Sequence, residues 1–235
     1  MPVGRPAARA FGAAGYRTIA DLDGSRSTRG FRSPTLQGMT LLGPSIRPIA
    51  TWVIVLGGLL MAALWLVYTV LHGPTSFQQD RVFLGQGVHF WGMLLGVVPN
   101  SLIAAGLIAC RGELTPSRRA AIGHALTCGA LIVPAVLDLA VQAINAPFFL
   151  PLQSVGVLTL AAGLGPRPAY STLKPILRVL GGLLGAGMVV AFIPADFSDS
   201  IGGFRLFGVL AYFLAGLAWS TLGYQLSQHY RSRVP

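Results

Sequence analysis

From residue 48 onward the chain is a series of long apolar runs separated by short basic connections. Residues 48–79, 82–110, 179–195 and 206–230 carry no Asp, Glu, Lys or Arg, and 120–166 carries only Asp138. A helix that crosses a bilayer needs about 20 mainly apolar residues, so these runs have room for about six such helices. The pattern predicts spans near 49–71, 84–109, 120–143, 147–165, 176–195 and 206–226, an all-α polytopic membrane bundle. The third and fourth are the closest in sequence, joined through Asn145 and Pro147, which favour a tight turn.

Polar residues inside the runs are not scattered. On a helical wheel Gln142, Asn145, Pro134, Thr127 and His124 all fall within about 40° of Asp138. Lipid penalises such a face, so Asp138 is expected to point into the bundle or a wet cavity. The second run repeats the arrangement, because Gly92, Gly96 and Asn100 lie within about 60° of His89. Gly92 and Gly96 form a GxxxG pair, which lets a neighbouring backbone come close. Pro99 and Pro134 each remove a backbone donor inside a span and free the carbonyls of Leu95 and Ala130. Kinks are expected there, with Asn100 available to satisfy the opened backbone.

Counted from the outer ends at about 1.5 Å per residue, His89, Asp138 and Gln153 lie at similar depths of roughly 7 Å. Arg205 opens the last run on the same side, on a face shared with Gly208, Tyr212, Gly216, Trp219 and Gly223. His89, Asp138, Gln142, Gln153 and Arg205 are therefore the expected polar cluster of the outer half. An Asp at mid-helix costs about 2.5–3.5 kcal/mol to insert, whereas an interhelical hydrogen bond returns about 0.6 kcal/mol. A charged partner or water explains its retention better than one glue contact does.

Composition agrees with the membrane reading: 53% of the residues are hydrophobic and only 10% are charged, far below a water-facing surface. Net charge of +10 would suggest nucleic acid in a soluble protein. Here the basic residues fall in the two terminal segments and around the second and fourth connections, and of the 17 Lys and Arg only Arg81 and Arg205 lie on the other side. That is a positive-inside pattern with both termini cytoplasmic. Residues 1–48 are rich in Arg, Gly, Ala and Ser without a sustained apolar period, so a disordered basic tail is expected, resting on anionic lipid. A short basic tail is expected over 227–235. The preference for Arg over Lys, with abundant Ala, Gly and Leu, points to a GC-rich bacterial genome and the inner membrane.

Catalytic and cofactor chemistry finds little footing. With two cysteines, Cys110 and Cys128, a four-cysteine zinc or iron–sulfur site is excluded within the chain, and the thiols are expected to stay reduced. His72 and His89 near one face and His124 and His229 near the other have the distribution of a two-haem protein, but His72 precedes a Gly-Pro and His229 lies beyond the last span. The sole lysine, Lys174, is in a connection and cannot hold retinal. No phosphate-binding loop, zinc-protease or serine-hydrolase signature occurs. No cofactor or metal is expected. The expected function is that of a non-enzymatic accessory, sensor or scaffold protein whose partners are lipid and other membrane proteins or further copies of itself. The alternative is a proton-coupled or small-solute carrier that titrates Asp138.

Overall fold

A computed structural model of the protein describes residues 46–72, 82–141, 146–191 and 201–231, without the side chains of 46, 47, 72, 141, 146, 147 and 201–204. They belong to one compact unit, Leu42–Pro235. Of the tail expected over residues 1–48, residues 1–45 lie outside the described residues and 46–48 belong to the first helix; Gln142, Asn145 and the side chain of His72 also lie outside the described residues.

The described chain is almost wholly helical. Helix α1 spans Ile46–His72, and a two-stranded hairpin of β1 (Val82–Phe83) and β2 (Gln86–Gly87) leads into α2, Val88–Ala109. The short α3 (Arg111–Leu114) is followed by α4 (Arg118–Val141) and α5 (Ala146–Gly163), then a 3-10 turn at Pro168–Tyr170 and α6, Leu173–Ala191. The last helix is continuous but changes pitch: α7 (Ile201–Gly208), a π-helical stretch Val209–Leu214, and α8 (Ala215–Arg231).

Among the described residues five helices are long and apolar enough to cross a membrane, within Pro48–Leu71, Val88–Ala109, Arg118–Ala140, Pro168–Ala191 and Arg205–Arg231. The fourth apolar run forms a shorter helix, Phe148–Gly163 within α5. Helices run unbroken through Pro99, Pro134 and Pro151. The outer surface is apolar, as lipid requires: on α1 the exposed stripe Ile49, Trp52, Leu56, Leu59, Ala63, Leu66 and Val70 recurs every three or four residues.

The second helix starts at Val88, later than the apolar run implied, because Leu84 and Gly85 form a reversing turn. Both have positive φ, 50° and 75°, the signature of a type I′ hairpin. Gly85 adopts this freely, while Leu84 does so at a cost of about 1–2 kcal/mol. Trp91, one turn into α2, donates its indole N–H to the Phe83 carbonyl at 3.3 Å, and its ring lies 5.4 Å from that of Phe83. The hairpin is thereby folded back against the first turn of the helix.

The helices pack in chain order and the ring then closes: α1 on α2, α2 on α4, α4 on α5, α5 on α6, α6 on the last helix, and the last helix back on α1. Apolar side chains gain little by leaving lipid for one another, so association depends on close packing and interhelical hydrogen bonds. The closing seam shows both. Gly58 faces the Gly216 carbonyl, Gly223 faces the Thr51 carbonyl, and Ser220 donates its hydroxyl to the Val55 carbonyl at 3.0 Å. Likewise Ser154 of α5 donates to the Gly181 carbonyl of α6 at 2.8 Å.

The end of the bundle that carries α3 is tied by its connections. Ser117 accepts from the Ala120 N–H, capping α4, and donates to the Gly163 carbonyl at the end of α5. Tyr170 donates to the Glu113 carbonyl at 3.2 Å. Nearby, His124 meets the Leu107 carbonyl at 2.9 Å, where α2 has run out of its own donors, so its Nε2 carries the proton. Cys110 and Cys128 are both buried and are not joined in a disulfide.

Candidate functional site

Asp138 lies near the end of α4 and is completely enclosed, with 0% of its surface exposed. Its carboxylate sits directly on Gly96 of α2, and a methyl group there would collide with a carboxylate oxygen. Of the GxxxG pair, then, Gly96 makes room for an acidic side chain and not for a neighbouring backbone. One turn further along α2, Asn100 is buried and donates its amide to the Gly96 carbonyl at 2.7 Å. The hydrogen bond lands one residue past Leu95, the carbonyl that Pro99 frees, on the same glycine that Asp138 rests against.

A second buried cluster, on α1 and the last helix, is aromatic. Tyr212, in the π-helical stretch, is the ring of that cluster on which a charge at Asp138 would act. Tyr212 stacks on Trp65 of α1, with ring centroids 5.3 Å apart and planes 9° apart. Trp65 also meets Phe207 edge-on at 6.4 Å and Tyr68 at 5.8 Å. All four rings are buried. Trp65 can occupy this position only because Gly208 has no side chain: a methyl group there would fall inside the indole. Aromatic pairs of this kind contribute about 0.5–1.5 kcal/mol each beyond their burial.

The π-helical stretch explains where Arg205 goes. A π turn takes up one more residue than an α turn, and so rotates the N-terminal part of the helix by about 100° relative to the C-terminal part. Tyr212, Gly216, Trp219 and Gly223 are buried, whereas Arg205, before the stretch, is exposed. His89 is exposed as well. It stands in the first turn of α2, where side chains lean toward the helix N-terminus and away from the bundle. Of the expected cluster, Asp138 and Gln153 are inside, His89 and Arg205 are on the surface, and Gln142 lies outside the described residues.

Nothing in the sequence brings Trp65, Tyr68 and Phe207 together with Tyr212. Trp65 and Tyr68 recur three residues apart close to the end of a span, but aromatic residues at that level are equally at home in the membrane interface. The small residue that meets Trp65, Gly208, is visible on the face of Tyr212, although its partner helix is not.

Among the described residues no group of three or more His, Cys, Asp or Glu side chains could hold a metal ion. No family model matches the chain, and neither a curated protein nor a solved structure matches it. The long apolar helices mark a membrane protein, and the candidate site inside it is one buried carboxylate seated on a glycine.

Proposed function

We propose that the protein is a non-enzymatic, multi-pass component of a bacterial inner membrane, an accessory, sensor or scaffold subunit that works through the packing of its helices. The observation that supports this most is the complete enclosure of Asp138. A carrier working on solute needs its titrating group reached by water in some state, whereas here the carboxylate is fully buried and seated on Gly96. Both termini face the cytoplasm in this reading, supported by the distribution of Arg and Lys, and the N-terminal arginines rest on anionic lipid.

The test is the mass of the complex purified in mild detergent through a C-terminal tag. A stoichiometric partner is the expected result, and a lone monomer in native membranes as well as in detergent overturns the reading.

A second reading, a proton-coupled carrier, draws support from the π-helical stretch beside Asp138, since such segments recur at functional sites. Reconstituted into liposomes, Asp138→Asn separates the two. Equal proton flux in wild type and variant removes the carrier, and a pH-dependent flux lost only in the variant removes the scaffold.

A further inference from the structure

The Val82–Gly87 hairpin is built in a way that water does not reward. Its turn is Leu84-Gly85, both with positive φ, at a position where Asn-Gly or Asp-Gly would be the usual choice. Leu84 accepts a left-handed backbone and then leaves 78% of its side chain uncovered, with Val82 65% and Phe83 44% exposed beside it. A bulky apolar residue at such a turn loses on both counts in an aqueous setting. Both are offset if the tip lies in an apolar medium.

Geometry supplies that medium. No residue separates β2 from α2, so the hairpin begins where a membrane-crossing helix begins. It does not project away from the helix end, because Trp91, one turn inside α2, binds the Phe83 carbonyl and packs its ring beside that of Phe83. Helix α2 has 22 residues, about 33 Å at the standard rise, enough to cross a hydrocarbon core of about 30 Å. A hairpin held at the level of its first turn therefore sits at the boundary of headgroup and acyl chain, the depth that Trp and other large apolar residues favour.

We propose that the Val82–Gly87 hairpin is an interfacial anchor, with Phe83 and Leu84 inserted into the bilayer at the end of α2. It depends on the membrane reading alone and not on the accessory role. The occupant of the exposed face is lipid. The hairpin runs directly into a helix long and apolar enough to cross the membrane, and neither strand carries a charged side chain for a polar partner to read.

The experiment places a nitroxide label at Leu84→Cys in the full chain in liposomes, the native Cys110 and Cys128 being buried. Collision with oxygen and with a water-soluble nickel chelate is then compared with labels at Val136→Cys, exposed on α4, and Arg167→Cys, in a polar connection. The expected oxygen-to-nickel ratio at 84 is several-fold above that at 167 and approaches that at 136. Nickel access equal to that at 167 overturns the proposal, as the tip would then be in water. An immobilised label that neither reagent reaches also overturns it, in favour of a protein partner or a second copy. The second variant, Val82→Cys, reports on the same hairpin without touching the turn and is expected to behave as Leu84→Cys does.

Discussion

Gly208→Ala is the sharpest test of how the aromatic cluster is held. The added methyl would fall within the indole of Trp65, which is 2% exposed and stacked on Tyr212, so neither the ring nor its support can move aside without displacing the other. Overpacking of a well-filled site costs about 1–3 kcal/mol, and the rigidity of the indole puts this case in the upper half of that range. A loss of about 2 kcal/mol lowers the folded-to-unfolded ratio by a factor of about 30. The collision involves the benzo part of the indole, which phenylalanine lacks. Trp65→Phe should therefore cost stability by itself, while Gly208→Ala added to it should cost almost nothing further. Reversible unfolding in mixed detergent micelles, read on the four members of the double-mutant cycle, gives a coupling energy of about 1–3 kcal/mol if the contact is as described. A neutral Gly208→Ala, or one equally harmful with Phe at 65, would refute the argument.

Other expectations are smaller. Ser220→Ala removes the hydroxyl bonded to the Val55 carbonyl and should cost about 0.6 kcal/mol in the same assay, the average for an interhelical hydrogen bond in lipid. Ser117→Ala loses both the cap of α4 and the bond to the Gly163 carbonyl; a cost of about 1–2 kcal/mol is expected, with faster hydrogen exchange at the amide of Ala120. His124→Leu leaves the Leu107 carbonyl buried without its side-chain donor and should cost about 1–3 kcal/mol, measured by unfolding.

The legible parts of this molecule are the ones on which lipid makes direct demands. Apolar length and the absence of charge locate the long helices, because a bilayer imposes both. The same rule hides the hairpin: Val82, Phe83 and Leu84 continue an apolar run, and only Gly85 and Gly87 hint that the backbone reverses. The inward face of Asp138 is legible because polar residues on α4 share one stripe. The exclusion of Arg205 from the cluster is not, since a uniform 100° wheel keeps it in register with Tyr212 and no residue type announces the π-helical stretch that shifts that register. Trp65 and Tyr68 are obscured by the several reasons an aromatic residue has for standing near a membrane surface. Gly96 stands out by motif, yet its partner, a carboxylate from another helix, depends on the order of helices in space.

The closed ring has a consequence in time. Ser220 and Val55 are 165 residues apart, and they meet only at the seam that joins the last helix to the first. At about 5–20 residues per second, translation from one to the other takes roughly ten to thirty seconds. For that interval α1 lacks the helix that covers Gly58 and Trp65 in the folded protein, and for the later part of it, once α4 is made, Asp138 is present without Tyr212. The nascent protein thus carries an intramembrane carboxylate in an unclosed bundle until its final helix enters, a natural point for an insertion chaperone to hold it or for a membrane protease to recognise a chain that was never finished.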